Sequence, residues 1–319
     1  MSDNNLQNEA QVFSDRIKER VQAGHIPDLR RMTKNDYFYQ SYWRDPYFAG
    51  LFVGESVNIF LDLIRTHAPQ ARTILDVGCG PGYITLELAR AGYHVVGIDI
   101  AESAIEIAKE TAATNPFTEG FGSLEYHAIP FEQASGRYDV VLYSGSIHHF
   151  DDPDGVVKQG AALLNPGGLI VCHEPARDTW RMVDAAQAGL IRMLLMLTGV
   201  WYQQPEADDT HSDITKLQQY IQDIFNEYVK EQEKGQDVQS PQDNASGGQA
   251  ILTALHRYAA EVAYRPGFAY LYRMLGGLRG EDAMIYRLAD FLATYEKLAL
   301  REGYLLPSTY FWAGRVKEQ

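Results

Sequence analysis

The sequence predicts an α/β fold built on a mostly parallel, doubly wound sheet. An N-terminal extension, a helical cap insertion and two β-type segments at the C-terminus complete it. Three observations predict this. Short apolar β-type runs alternate with helical runs between residues 72 and 174, the pattern of parallel strands covered on both faces. A loop of three glycines joins the first such run to a helix. β-type segments return only at the end, after a long helical stretch. A length of 319 residues suits one such domain carrying large insertions.

Residues 1–60 read as the extension. Val12, Ile17 and Val21 fall near helical spacing, and an aromatic burst follows through Tyr37, Phe38, Tyr39, Tyr42, Trp43, Tyr47, Phe48 and Phe52. Val57, Phe60, Leu61 and Ile64 recur at helix period. Residues 61–175 carry the core. Thr73–Val77 is a strand, Pro81–Ala91 a helix with proline in its first turn, and His94–Asp99 a second strand. Ala101–Thr114 is helical, Ser123–Ala128 a weaker strand, Tyr138–Tyr143 a strong one and Asp152–Leu164 a helix. Pro166-Gly167-Gly168 turns the chain into the strand Leu169–His173. Residues 176–283 show helical signal without a convincing strand and read as the insertion. Within it, 230–250 is rich in Gln, Asp, Ser and Gly and reads as a mobile loop. Residues 284–319 return to the core: a helix ends at Gly303, and Tyr304–Pro307 and Tyr310–Lys317 read as two strands.

Composition narrows the function. With 28 basic and 42 acidic residues the net charge is −14, which disfavours nucleic acid and anionic membrane surfaces as partners. Cys79 and Cys172 make neither a disulfide framework nor a metal cluster, so a reducing cytoplasm is the expected setting and no metal is expected. The polar, acidic N-terminus is no secretory signal, and the apolar window 188–201, broken by Arg192, is too short to span a bilayer.

The sharpest site is Ile74-Leu75-Asp76-Val77-Gly78-Cys79-Gly80-Pro81-Gly82. A strand, a glycine loop and a helix N-terminus let a ligand approach the backbone and meet free N–H groups. Asp99 ends the next strand, where a carboxylate can accept hydrogen bonds from both ribose hydroxyls of an adenosine ligand. A dinucleotide fingerprint needs glycine at position 83, which is Tyr83. The G-x-G-x-G spacing therefore favours S-adenosylmethionine (SAM) over a pyrophosphate, and an NAD(P)-dependent oxidoreductase is the weaker alternative.

LDVGCGPG, VVGIDI, YDVVLYSGSIHHF and LLNPGGLIV, in that order, resemble the motifs of class I SAM-dependent methyltransferases. The resemblance spans about residues 70–175 and, more loosely, 285–317. It is nearest to the small-molecule group that includes the ubiquinone-pathway O- and C-methyltransferases. It implies a seven-stranded sheet whose last two strands form a C-terminal antiparallel hairpin, which the pair Tyr304–Pro307 and Tyr310–Lys317 matches. It also implies that Asp76, Gly78, Cys79, Gly80 and Gly82 line the methionyl part of SAM, that Asp99 holds the ribose and that Ile100 packs on the adenine. Ser144 and Gly145 are then expected near the sulfonium. Many relatives carry Asp-Ala after the third strand; here Tyr126-His127-Ala128 lacks the acid. Ala128 stands at the matching position, and His127 or a backbone amide is left to meet the adenine amino group.

His148, His149 and Glu174 follow the fourth and fifth strands, on the side where ligands bind in such sheets. Either histidine could deprotonate a hydroxyl acceptor, or one of them, His149 rather than His148, packs inward and caps backbone groups. Glu174 could contact the acceptor, or pair with Arg177 or Arg181. Tyr39, Tyr42 and Trp43 are expected as a substrate lid, or as packing of the arm on the core. The apolar stretch from Leu190 to Tyr202 could line the acceptor pocket, form a homodimer interface, or be the insertion's own core. The expected activity is methyl transfer to a small molecule, with a SAM-binding scaffold as the non-enzymatic alternative.

Overall fold

The computed structural model describes residues 3–204, 212–229 and 246–317. The chain opens with helix α1 (Asp3–Gln22), followed by two short 3-10 turns, α2 (Pro46–Ala49), a π-helical segment (Gly50–Gly54) and α3 (Glu55–His67). The core then runs β1 (Thr73–Val77), α4 (Tyr83–Arg90), β2 (His94–Asp99), α5 (Glu102–Ala113), β3 (Ser123–Ala128), β4 (Tyr138–Ser144), α6 (Pro153–Ala162) and β5 (Leu164–Pro175). After it come α7 (Met182–Leu197), α8 (Ile214–Val229), α9 (Gly248–Tyr258), β6 (Ala259–Pro266), α10 (Leu271–Leu275), α11 (Asp282–Arg301) and β7 (Thr309–Val316).

The seven strands lie in the order β3-β2-β1-β4-β5-β7-β6. β1 to β5 are parallel; β7 runs antiparallel between β5 and β6. Alternate side chains of one strand enter opposite layers. Ile74, Val140, Leu142 and Val171 pack with α3, α7 and α11 on one face, whereas Leu75, Val141, Tyr143 and Ile170 pack with α6 and α9 on the other. Caps set the entries: Asp152 accepts the Gly155 N–H at 2.9 Å ahead of Pro153, where α6 begins. Among the described residues, 46–67 is the one helical run long and apolar enough to cross a membrane. Its Phe60, Leu63 and Ile64 are fully buried against the sheet.

Two features depart from the expected layout. The strand beside β7 is β6, inside the segment read as strand-free, and Tyr304–Pro307 is an irregular connection. β6 follows α9 with no glycine or proline between them, so the helical period of Ile251, Leu255 and Tyr258 runs on into it. It is an edge strand of small and polar residues with little alternation to reveal it. The core therefore resumes at 259, and β6 and β7 are joined through α10 and α11 rather than by a tight hairpin. The insertion is helical as expected, but its described part flanks the sheet. α7 and α8 lie on one face and α9 on the other, and none of their described residues reaches the crevice discussed below. Residues 230–245, most of the expected loop, lie outside the described residues. From Ser246 the chain is fixed, its N–H on the His148 carbonyl and its hydroxyl on that of Phe150.

Candidate functional site

A cavity of about 470 Å³ opens at the carboxyl ends of β1, β2, β4 and β5, within the range of about 300–1,000 Å³ usual for small-molecule and cofactor sites. Gly78 (φ 72°) and Gly82 (φ 86°) both adopt the left-handed conformation that favours glycine. A Cβ at Gly78 would stand 2.7 Å from Cβ of Ser146, and one at Gly82 would strike the Tyr126 ring. Gly78, Cys79 and Gly80 line the cavity, whereas Gly82 sits behind it against Tyr126. Burial pushes the Cys79 thiol well up, so it is held protonated.

Two carboxylates flank the loop. Asp99 ties it to β2, accepting the Gly80 N–H at 2.9 Å and the Ala101 N–H at 2.8 Å. Burial raises its pKa against these hydrogen bonds. Asp76 accepts the Thr85 hydroxyl at 2.7 Å through Oδ2, while its buried Oδ1 has no partner. Burial, reinforced by the neighbouring Asp99, pushes Asp76 up to about 7 against the Thr85 hydrogen bond. An orphaned buried acceptor beside a loop that excludes side chains suits a ligand bearing an ammonium group.

The loop after β4 is organised by Glu174. Its Oε1 accepts the N–H groups of Ser146 (3.0 Å) and Ile147 (2.8 Å), and its Oε2 lies 2.8 Å from Nδ1 of His148. Glu174 is therefore committed to this loop, and Arg181 pairs with Asp184 instead. His148 and His149 both line the cavity, their rings 4.3 Å apart, and the buried one is His148, drawn in by Glu174, rather than the expected His149. Ile100, Ser144 and Gly145 line it as well, whereas Ala128 is exposed and Ile129, Pro130 and Phe131 take its place on the wall. His127 is exposed too, 3.5 Å from Glu125.

The arm supplies the outer wall through Phe13, Ile17, Arg20, Tyr42, Trp43 and Phe52. Tyr39 stands apart, half exposed, with Arg279 over its ring. Trp43 stacks on Tyr83 at 4.4 Å, and His25 hydrogen-bonds the Tyr83 hydroxyl. Behind them Arg90, buried, holds Asp28 at 2.7 Å and Glu87 at 2.6 Å. Arg20 lies over Phe38 and makes no ion pair or side-chain hydrogen bond among the described residues. At the far end His173, stacked on Phe311 at 4.1 Å, and Tyr272 of α10 complete the chamber. Burial lowers His173 to about 4, so its ring is neutral. Sequence reasoning missed Arg20, Phe13, His173 and Tyr272; none belongs to a motif, and only the fold carries them to the crevice.

A family model described as a methyltransferase domain matches residues 54–228, more than half of the chain. The chain belongs to the methyltransferase family. The resemblance to class I SAM-dependent methyltransferases thus holds, and SAM is the cofactor it implies. This methyltransferase is 39% identical over 105 residues to a ubiquinone biosynthesis O-methyltransferase of Bordetella avium (strain 197N), covering 32% of this chain and 42% of the relative. It is 35% identical over 116 residues to one from Acinetobacter baylyi (strain ATCC 33305 / BD413 / ADP1), covering 34% and 47%. The chain therefore spans less than half the length of these relatives. Among solved structures it is similar to the N-methyltransferase NodS of Bradyrhizobium japonicum WM9 in complex with S-adenosyl-L-homocysteine, at 14% identity and a TM-score of 0.43 over 83% of this chain and 87% of that one. A geranyl diphosphate C-methyltransferase of Streptomyces coelicolor A3(2) gives 11% identity and a TM-score of 0.46 over 83% and 79%.

Proposed function

We propose that this methyltransferase acts on a hydroxyl oxygen of a small, largely apolar molecule, with His148 as the base. The observation that carries the reading is the contact of His148 Nδ1 with Glu174 at 2.8 Å inside the cavity. A carboxylate on Nδ1 keeps the proton there and leaves Nε2 with its lone pair, the tautomer that can take a proton from an acceptor hydroxyl. Glu174 then offsets the charge of the imidazolium that forms. His149 lines the same cavity beside it, but the contact with Glu174 is made by the His148 ring. The O-methyltransferase names of the Bordetella and Acinetobacter relatives support oxygen as the acceptor atom.

When bound, SAM supplies an electrophilic methyl group on its sulfonium. Asp99 would hold the ribose, Ile100 and Phe131 the adenine, and Ser144 and Gly145 would lie near the sulfonium. The unpartnered Oδ1 of Asp76 would accept from the methionyl ammonium, and Arg20 would meet the methionyl carboxylate. Tyr42, Trp43, Phe52 and Tyr272 form an aromatic chamber that keeps water from the transfer and sets an apolar acceptor against the base. The test is to offer methyl-labelled SAM with matched hydroxyl, amine and thiol compounds and to identify the product. The reading expects an O-methyl ether. Label on nitrogen, sulfur or carbon overturns the acceptor assignment, and label on none of them overturns the activity.

A further inference from the structure

α7 and α11 lie side by side. Gln187 of α7 donates to the Tyr295 hydroxyl of α11 at 2.7 Å, and Asp184 accepts the N–H of Leu306 just beyond α11. At the other end, Arg279, ahead of α11, donates its N–H to Val200, after α7. The two helices are therefore antiparallel. Each carries a seam at heptad spacing: Val183, Gln187, Leu190, Leu194 and Leu197 on α7, and Met284, Leu288, Phe291, Tyr295 and Leu298 on α11, with Gln187, Leu288 and Tyr295 half-buried along its floor. Seven of these ten are large apolar side chains left exposed, with Phe291 at 62% and Leu190 at 61%. None of the ten is charged. The inward faces of both helices are already used in the core.

We propose that this two-helix face docks on the same face of a second copy, so that two antiparallel pairs close into a four-helix layer about a two-fold axis. Spacing of three and four residues along both helices is the pattern that interdigitates with another helix pair. The seven exposed side chains present roughly 700 Å² per copy, near the ~800 Å² that each partner of a standard interface buries and above the largest patch of a typical monomer. The face is uncharged within a chain of net charge −14, so two copies meet where their mutual repulsion is least. The same charge opposes an anionic bilayer as the occupant. The dimer would also brace the acceptor wall. Glu296, on the inner side of α11, accepts the N–H groups of Tyr270 (2.7 Å) and Leu271 (2.8 Å), which start the helix carrying Tyr272.

Sedimentation equilibrium of the full chain at tens of micromolar tests this. The expected mass is twice the 35.9 kDa of the chain, with tighter association at high salt as repulsion is screened. Leu194→Glu and Phe291→Glu should each halve the mass while SAM still binds. Hydrogen exchange on the unaltered protein gives a second reading: amides of 183–197 and 284–298 should lose protection on dilution, and those of β1 and β4 should not. A wild-type monomer overturns the proposal, as does a dimer that survives both substitutions or shows no dilution effect on these helices. A monomer that floats with phosphatidylglycerol vesicles assigns the face to a membrane instead.

Discussion

His148 Nδ1 and Glu174 Oε2 lie 2.8 Å apart in a buried pair joining the end of β5 to the loop after β4. One carboxylate thus shapes the loop and orients the ring. Removing the ring should therefore cost chemistry and spare the cofactor. His148→Ala is expected to lower kcat by about 10²–10⁴, the usual worth of a positioned base, with SAM affinity held within about threefold. His149→Ala should cost much less turnover. Steady-state kinetics and calorimetry on the two variants decide this, and equal losses in both would remove the assignment to His148.

In the proposed role, Asp76 should make SAM binding pH-dependent. Its pKa of about 7 in the ligand-free chain reflects burial, and a methionyl ammonium beside Oδ1 would favour the carboxylate. Binding then releases a proton, so affinity should rise from pH ~5 to pH ~7 and flatten above. Asp76→Asn should bind SAM more weakly with little pH dependence over that range. Calorimetry in buffers of different ionisation enthalpy would show the released proton, and its absence would contradict the role.

Asp99 and Arg20 would hold opposite ends of the cofactor in the proposed binding mode. Asp99→Ala loses charge-assisted hydrogen bonds of about 1.5–3 kcal/mol each and should weaken SAM by tenfold or more. Arg20→Met should weaken SAM while leaving adenosine binding unchanged, because adenosine has no carboxylate. If Arg20→Met leaves SAM affinity intact, the guanidinium faces the acceptor instead.

Glu296 sets a stability trend. Burial raises its pKa to about 7 in the fold, above that of an unfolded glutamate. The folded chain therefore holds a proton that the unfolded chain has lost, and this contribution to stability declines as pH rises from about 4.5 through 7. Glu296→Gln keeps an acceptor for Tyr270 and Leu271 without the buried charge. Its thermal midpoint relative to wild type should be higher at pH 8 than at pH 5; a constant difference would show that the carboxylate does not titrate there.

The sequence made legible what local chemistry dictates. The Gly78–Gly82 loop, Asp76, Asp99 and the pair of histidines stand in motifs, and strands β1, β2, β4 and β5 announce themselves by apolar runs, whereas the largely exposed edge strand β3 gives only a weak signal. Glu174 was visible as a candidate, but its partner was not, because a separation of 26 positions from His148 hides a contact made only by parallel pairing of β4 and β5. β6 was illegible for a different reason: an edge strand of Ala259, Ala260 and Glu261 has no buried face to impose alternation. The arm's role was half legible. Aromatic density at Tyr42 and Trp43 suggested a lid or a packed arm, and both residues line the cavity, but Arg20 looks like any surface arginine until α1 is laid against the loop.

The most direct test of the account follows the pH dependence of single-turnover methyl transfer to a hydroxylated acceptor, in wild type and His148→Ala, with SAM saturating. The account predicts a rate that rises with pH as the imidazole loses its proton and then levels. In His148→Ala the rate should be at least about 10² lower near pH 7 and climb instead toward the pKa of the acceptor hydroxyl itself. Superimposable profiles within threefold of each other would contradict it.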